Sequence, residues 1–262
     1  MKGYSKIKTL GQGSFGQAIL CRSPKGDTCV MKVINMKNMS SSERHDAENE
    51  AKLLSKLKHP YIIEYRESFV DGHDLCIVMD HAEGGDLFSA IAKKRRSGSF
   101  FSDSQVMRWF TQAALAIKYL HDRHILHRDL KTANLFLTSS GRLKIGDFGI
   151  SKVLRCTRDF AKTSVGTPYY LAPEICRQQH YSYAADVWAL GVVLYELCNL
   201  KMPFEAPTLY ALMDKILRSP APRCAPHVPT ELRQIIEVCL EHDPRKRVNM
   251  QDVLNSKAVQ RE

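Results

Sequence analysis

The sequence predicts an α+β fold in which a small antiparallel β-sheet with one helix precedes a larger, mainly α-helical part. Short β-like runs separated by turn signals dominate residues 4–79, whereas helical periodicity prevails from about residue 103 onward. A segment that ends in Glu-Gly-Gly, residues 80–85, connects the two patterns. We therefore expect one two-lobed domain over residues 1–262, with an N-terminal lobe at about 1–79, a hinge at 80–85 and a C-terminal lobe at about 86–262. A cleft between two lobes is a common place for a small ligand.

The N-terminal lobe begins with strands. Apolar and β-branched runs predict strands over residues 6–10, 18–21, 28–34 and 75–79, and Ser-Pro-Lys-Gly-Asp at 23–27 predicts a turn. One helical pattern lies among them. It places Ala47, Glu50, Leu54 and Leu57 on a single stripe in which Glu50 is the only charge.

Lys32 is a candidate binding residue because it lies inside the apolar run 28–34. Alternation along a strand would put it on the same side as Val30 and Ile34. A buried cation requires an anionic partner, and Glu50 on the inward stripe of the helix supplies one. Glu48 is the alternative partner if the helical phase differs. The competing interpretation leaves the Lys32 ammonium at the lobe edge and turns Glu50 to water.

The C-terminal lobe begins with a helix signal. Ser102 fits an N-cap and Gln105 the third helical position, which is the pattern of a capping box. The residues that follow at helical spacing predict one apolar stripe, made of Val106, Phe110, Ala113, Ile117 and Leu120.

Composition excludes several classes of protein. Hydrophobic content of 44% and charged content of 25% are ordinary for a globular protein. The formal charge is +10, but the only tight basic run is Lys93-Lys94-Arg95-Arg96, and no nucleic-acid-binding module accompanies it. We expect no nucleic-acid partner, and we interpret the run as a solvated helix end. The sequence has no apolar run of roughly 18 residues and no apolar signal core, so we expect a soluble, intracellular protein without a membrane partner.

Cysteine and histidine patterns do not indicate a metal centre. The eight cysteines form no C-x-x-C pair, which favours reduced thiols. His121, His124 and His127 are closely spaced, but the sequence around them does not supply carboxylate or thiolate ligands in the pattern of a metal site.

Five short motifs occur in a fixed order along the chain. They are Gly11-Gln12-Gly13-Ser14-Phe15-Gly16, Val30-Met31-Lys32-Val33, His127-Arg128-Asp129 with Asn134, Asp147-Phe148-Gly149, and Ala172-Pro173-Glu174. A single G-x-G-x-x-G is a weak signal because it also opens dinucleotide-binding units, whereas the ordered set is specific. Through these motifs the chain resembles a eukaryotic protein kinase catalytic domain over nearly all of its length. The resemblance implies phosphoryl transfer from ATP with the help of Mg²⁺.

The resemblance implies a nucleotide site. Glycines at positions 11, 13 and 16 would let the backbone approach the phosphates without a side-chain clash. Lys32 would grip the α- and β-phosphates while Glu50 holds Lys32 in place. Ala18 occupies a position where the family often has Val, so a smaller side chain is available to pack against the adenine. The residues implied in ATP binding are Leu10, Gly11, Gln12, Gly13, Ser14, Phe15, Gly16, Ala18, Lys32, Glu50, Met79, Asp80, His81, Ala82, Asp86 and Asp147.

The resemblance also implies catalytic and metal-binding roles. Asp129 would orient and deprotonate the substrate hydroxyl, and Lys131 would steady the transferred phosphoryl group. Asn134 and Asp147 would bind magnesium through oxygen atoms, the donors that this ion prefers. Lys131 in His-Arg-Asp-Leu-Lys is typical of serine/threonine kinases.

Residues 147–174 correspond to an activation segment. Thr163 and Ser164 are candidate phosphorylation sites, because a phosphate there could pair with Arg128 next to the catalytic Asp129. Thr167 fits the Gly-Thr that touches the catalytic Asp in serine/threonine kinases, and it is a further candidate site. An upstream kinase or autophosphorylation would supply the phosphate.

Three residues are expected to be architectural. Glu174 and Arg247 match a pair that forms a buried salt bridge in the family. Asp186 would brace the backbone of the catalytic loop.

A finer resemblance is to the NIMA-related serine/threonine kinases. Its residues lie at 11–18, 77–87, 131–138 and 166–170. It implies Met79 as gatekeeper, residues 80–82 as the adenine-binding part of the hinge, and Asp86 near the ribose. It also implies protein substrates bearing Ser or Thr, a monomeric catalytic domain, and a cytoplasmic location linked to the cytoskeleton, the centrosome or the basal body. Family members often carry a C-terminal tail, so either a tail was removed here or this member is minimal.

Two other classes are the alternatives. A pseudokinase, a catalytically silent scaffold, would lose Lys32, Asp129 or Asp147, and all three are present. A small-molecule phosphotransferase would lack Ala172-Pro173-Glu174 and the Gly-Thr at 166–167 that build a peptide-docking ledge.

Overall fold

The structure is a computed structural model that describes residues 2–13, 16–146 and 168–261, without the side chains of Asp46 and Glu50. The described chain forms two compact units, one up to residue 83 and the other from residue 84 onward.

The first unit contains a five-stranded antiparallel sheet and one helix. Its strands are β1 (Ser5–Gly13), β2 (Gly16–Arg22), β3 (Thr28–Asn35), β4 (Tyr65–Asp71) and β5 (Asp74–Asp80). They pair in the order β1-β2-β3-β5-β4. The helix α1 (Ser41–Leu54) follows β3. The sheet-rich first part and the four predicted strands are therefore confirmed, whereas β4 was missed. As an edge strand in which only Phe69 is buried, it lacks an apolar alternation.

One face of this sheet carries the apolar core of the unit. Residues 19, 21, 29, 31 and 33 of β2 and β3 cluster with Phe69, Cys76 and Val78. Lys32 is on the opposite face of β3 and is half-buried rather than buried. The helix starts with a complete capping box between Ser40 and Glu43, which satisfies two backbone N–H groups at its first turn.

The second unit is mainly helical, as predicted. Its helices are α2 (Leu87–Ser97), α3 (Asp103–His121), α4 (Pro173–Cys176), α5 (Tyr183–Asn199), α6 (Leu209–Arg218), α7 (Thr230–Cys239), α8 (Met250–Leu254) and α9 (Lys257–Gln260). Two 3₁₀ helices, Thr132–Asn134 and Pro168–Tyr170, and a two-stranded sheet of β6 (Leu135–Leu137) and β7 (Leu143–Ile145) complete it.

Helix α5 is the core of the second unit. All of its residues from Ala185 onward are buried, and it packs against α3 and α7. Ser102 caps α3 by accepting the Gln105 N–H, and the five residues of the predicted α3 stripe are all buried. Within the described part of the chain, none of the helices is both long and apolar enough to cross a membrane.

The first residues of the second unit, Gly84 and Gly85, are attached to its small sheet. The Gly84 N–H donates to Leu137 O at 2.8 Å, and the Leu137 N–H donates to Gly85 O at 2.7 Å. A Cβ atom at Gly84 would lie 2.7 Å from the backbone oxygens of both Leu137 and Thr138. This close approach requires glycine.

The basic run ends helix α2, but it is not wholly solvated. Arg95 donates through Nε to Leu200 O at 2.8 Å and also through Nη2. Leu200 is the left-handed residue that caps α5, so Arg95 satisfies a carbonyl at the end of another helix.

Candidate active site

The loop between α3 and the first 3₁₀ helix is held by a carboxylate from α5. The His127 N–H donates to Asp186 Oδ2 at 2.9 Å, and the Arg128 N–H donates to Oδ1 at 3.1 Å. Arg128 has a φ of 65°, a left-handed conformation that is costly for a side chain of this size. The two bonds stabilise that conformation, so the predicted bracing role of Asp186 is confirmed.

Asp186 has two further donors although it is fully buried. Tyr181 Oη donates to Oδ1 at 2.7 Å, and His121 Nε2 donates to Oδ2 at 3.0 Å. Burial alone would raise the pKa of Asp186, but the hydrogen bonds, led by that from His121, outweigh it and hold the pKa below its ordinary value. The carboxylate is therefore an ionised structural anchor at neutral pH.

The three histidines singled out from the sequence have separate partners. His121 binds Asp186, His124 Nδ1 lies 3.3 Å from the Tyr183 hydroxyl, and His127 Nδ1 accepts the Asp129 N–H at 3.3 Å. Among the described residues, no three His, Cys, Asp or Glu side chains are grouped so as to hold a metal ion.

Three predicted catalytic residues lie together at the end of this loop. Lys131 Nζ lies 2.9 Å from Asp129 Oδ2, and Asn134 Nδ2 donates to the same oxygen at 3.0 Å and to the Asp129 backbone oxygen at 2.7 Å. Asn134 is buried, whereas 24% of the Asp129 side chain and 31% of the Lys131 side chain remain exposed. The carboxylate is thus fixed in orientation and still open to a ligand.

Asn134 also connects this cluster to the segment that carries Asp147. The Gly146 N–H donates to the Asn134 backbone oxygen at 3.0 Å, and residue 146 directly precedes Asp147. Because Nδ2 of Asn134 is bound to Asp129, the side-chain oxygen Oδ1 lies on the opposite branch of the amide. An amide oxygen in this setting is a suitable ligand for a hard cation.

A buried hydrogen-bond chain supports the same loop and was missed by sequence reasoning. Tyr170 Oη donates to Glu196 Oε2 at 2.6 Å and lies 3.0 Å from Thr132 Oγ1. Since the Tyr170 proton goes to Glu196, Thr132 is the donor in the second bond. Burial, opposed by the Tyr170 bond, raises the pKa of Glu196, and burial with the nearby Glu196 raises the pKa of Tyr170. Glu196 is a second charged residue, besides Asp186, in the mainly apolar helix α5, and this was the available signal.

In the first unit, the glycines of the glycine-rich motif lie in the paired strands β1 and β2. Gly13 at the end of β1 pairs with Gly16 at the start of β2. A Cβ atom at Gly16 would lie 1.7 Å from the backbone oxygen of Val33, so the strands could not pair as they do with any other residue there. Leu10, Gly11 and Gln12 are in β1.

Three residues predicted to bind the nucleotide form one row across this sheet. Ala18 pairs with Gly11 on one side and with Lys32 on the other. Directly opposed residues in antiparallel strands share a face of the sheet, so Lys32 lies on the same face as Ala18 and Gly11. This face is opposite to the one that carries the buried Met31.

The predicted adenine-binding residues lie at and after the end of β5. Met79 and Asp80 end the strand, and His81 and Ala82 follow, all half-buried. Arg66 donates through Nε to Asp80 Oδ1 at 2.9 Å and through Nη1 to Asp27, which ties the end of β5 to the β2–β3 turn.

Asp86, predicted to lie near the ribose, caps helix α2. Its Oδ1 accepts the Ser89 N–H at 2.7 Å, which leaves Oδ2 for a ligand. Six predicted residues, namely Ser14, Phe15, Asp147, Thr163, Ser164 and Thr167, and the side chain of Glu50 lie outside the described residues.

The predicted ion pair between Glu174 and Arg247 is confirmed. Nη1 and Nη2 of Arg247 bind the two carboxylate oxygens of Glu174 at 2.7 and 3.0 Å, and both side chains are almost fully buried. This bidentate geometry joins α4 to the loop after α7.

Comparisons with known proteins agree with this geometry. A family model of the protein kinase domain matches residues 4–259. The chain is 44% identical over 255 residues to serine/threonine-protein kinase Nek1 of Mus musculus and 43% identical over 257 residues to serine/threonine-protein kinase Nek5 of Homo sapiens. It is also 43% identical over 253 residues to serine/threonine-protein kinase Nek4 of Mus musculus. These alignments cover 97%, 97% and 96% of this chain but only 21%, 36% and 32% of the three relatives.

Proposed function

Because the chain belongs to the protein kinase family, we propose that it is a serine/threonine protein kinase that transfers the γ-phosphoryl group of ATP to serine and threonine hydroxyls of protein substrates. One observation carries the proposal: a partly exposed Asp129 carboxylate is bound through one oxygen by both Lys131 and Asn134. A general base must be fixed in orientation and open to its substrate, and this carboxylate is both.

Asp129 accepts the proton of the attacking hydroxyl. The donors on Oδ2 stabilise the ionised carboxylate, which is the form that can accept a proton. Lys131 adds a positive charge beside the base, where it stabilises negative charge on the phosphoryl group in transfer.

Asn134 and Asp147 are the proposed magnesium ligands. Both supply hard oxygen donors, and Gly146, which directly precedes Asp147 in the sequence, is hydrogen-bonded to the Asn134 backbone oxygen. When bound, the ion neutralises negative charge on the phosphates of ATP.

The row formed by Gly11, Ala18 and Lys32 is the proposed phosphate side of the nucleotide site. Lys32 binds the α- and β-phosphates, and Glu50 is its proposed partner. Residues 79–82 and Asp86 are assigned to the adenine and the ribose.

Phosphorylation of the activation segment is the proposed regulation. Thr163 or Ser164 would carry the phosphate, added by an upstream kinase or by the protein itself, and Thr167 is a further candidate site. Mass spectrometry of a fully active preparation should find phosphate on Thr163 or Ser164, and full activity without either modification would refute this regulation.

The similarity to NIMA-related kinases supports a role in the cell cycle, at the centrosome or in the cilium. A fluorescent fusion of the full-length natural protein that stays diffuse throughout the cell cycle would contradict this assignment.

The test of the activity is transfer of labelled phosphate from ATP and Mg²⁺ to dephosphorylated casein. Asp129→Asn should lower kcat by about 10²- to 10⁴-fold, the usual contribution of a general base. Asp122→Asn is the matched control, because Asp122 is a surface carboxylate paired with Lys118 just after α3. Equal rates for the two variants would refute the role of Asp129. Asp147→Asn should abolish turnover, and the labelled product should be phosphoserine and phosphothreonine rather than phosphotyrosine.

A further inference from the structure

The end of helix α2 carries chemistry that phosphoryl transfer by this chain does not use. Four consecutive cations at 93–96 precede Ser97, the last residue of the helix, and Gly98 follows with a φ of 62°. We propose that Ser97 is a phosphorylation site for a separate protein kinase that recognises basic residues, and that Lys93 and Lys94 hold the phosphate after transfer. Modification of Ser97 requires no activity of this chain.

The acceptor is accessible and surrounded by the charges such a kinase recognises. Ser97 is exposed, and its hydroxyl donates to Lys94 O at 3.0 Å and lies 2.8 Å from Ser99 Oγ. Positive charge occupies each of the four positions before it. A substrate groove lined by carboxylates selects acceptors of this kind through charge complementarity.

The structure also provides a binding site for the phosphate. Lys93 and Lys94 lie three and four residues after Ala90 and four and three residues before Ser97, so both lie next to these two residues on the helix surface. With Ser99 and Phe101 they line a surface cavity of about 280 Å³.

The charge in this cavity is favourable for an anion. Nζ of Lys94 lies 5.3 Å from the centre of the Phe101 ring, and none of the described residues that line the cavity is acidic. A phosphate of about −1.5 to −2 charge on Ser97 would face two ammonium groups and the Ser99 hydroxyl.

The two lysines are necessary because a helix end is otherwise a poor place for phosphate. The carbonyl groups at the C-terminus of α2 present partial negative charge, which disfavours an anion. Arg95 does not compensate, since it is two residues from Ser97, on another side of the helix, and is bound to Leu200 O.

Access by the modifying kinase requires the last turn of α2 to open. The backbone bonds there are long, with Gly98 N to Arg95 O at 3.3 Å and Ser99 N to Lys94 O at 3.2 Å. Helix ends fray at low cost, so this opening is local.

The phosphate donor is a nucleoside triphosphate bound by the modifying kinase. A bond forms between Ser97 Oγ and the γ-phosphorus as the bond from that phosphorus to the bridging oxygen breaks. The nucleoside diphosphate leaves, and the hydroxyl proton goes to the catalytic base of the modifying kinase.

Purified Asp129→Asn protein is the substrate for the test, because it removes the proposed activity of the chain itself. It is incubated with the catalytic subunit of cyclic-AMP-dependent protein kinase and MgATP, and the sites are mapped by mass spectrometry. We expect close to one phosphate per chain on Ser97, lost in a Ser97→Ala variant and kept in a Ser99→Ala variant. Absence of phosphate on Ser97 overturns the proposal, and a peptide of residues 90–101 tested in parallel shows whether recognition or access failed.

The proposed phosphate-binding site is tested separately by a ³¹P NMR titration of the phosphorylated protein. The second ionisation of the phosphate should occur at a pH about half a unit lower than in phosphorylated Lys93→Met protein, since a nearby ammonium favours the dianion. Lys201→Met is the matched control, because Lys201 is exposed and does not line the cavity. If the phosphate ionises at the same pH in the Lys93→Met and unsubstituted proteins, the assignment of the phosphate-binding site is overturned.

Discussion

Replacement of Arg247 by methionine should be among the most damaging single changes in the second unit. The guanidinium binds both carboxylate oxygens of Glu174 and donates to Ala184 O at 2.7 Å and to Glu241 O at 2.8 Å. Its side chain has 0% exposure and that of Glu174 has 2%. The Arg247→Met variant therefore leaves a buried carboxylate without its cation.

Removal of one partner of a buried ion pair costs about 3–5 kcal/mol. At roughly 2–4 °C per kcal/mol for a chain of this size, the melting temperature should fall by about 10 °C.

Urea unfolding followed by tryptophan fluorescence measures this effect. The chain has two tryptophans, and both Trp109 and Trp188 lie in the second unit. Arg233→Met is the matched control, because Arg233 also donates to two backbone carbonyls but has no carboxylate among its hydrogen-bond partners in the described structure. A loss below about 1 kcal/mol would refute the assignment of a buried charge pair.

Two other substitutions test neighbouring features. Gly84→Ala should destabilise the second unit by more than the roughly 1 kcal/mol typical of point mutants, because the new methyl group would meet two backbone oxygens at 2.7 Å; an unchanged urea midpoint would contradict the packing described at the hinge. Tyr170→Phe removes the hydrogen bond that lowers the pKa of Glu196, so that pKa, already raised by burial, should rise further. A carboxyl with a raised folded pKa destabilises the folded state when ionised, and the loss of about 1–3 kcal/mol should be larger at pH 8 than at pH 5; a pH-independent loss would contradict it.

The elements that sequence analysis predicted correctly are those with local signals. The start of α3 is determined by Ser102, whose side chain accepts the Gln105 N–H, the Ser102 half of the predicted capping box, and the buried stripe of the helix follows the helical period. The face on which Lys32 lies follows from the alternation of β3. These features depend on residues that are close in the sequence, so one amino-acid sequence is enough to predict them.

Features that depend on distant partners were predicted less well. Strand β4 exists because β5 pairs with it, and its own residues show no apolar alternation. Tyr170 and Glu196 are 26 residues apart, and nothing near either residue indicates the other. Arg95 was interpreted as solvated because its partner, the Leu200 carbonyl, lies 105 residues away. In each case tertiary packing decided the outcome.

Strands β1 and β4 are the outer strands of the first unit's sheet in the described part of the chain, and their residues bear on self-association. Strand β1 carries Lys6 and Lys8, and β4 carries Arg66 and Glu67, all four of them exposed. Charged side chains on an outer strand oppose the addition of a strand from another copy. On β1, a second copy of the strand would bring lysine ammonium groups together, so Lys6 and Lys8 help to keep the sheet from seeding fibrils.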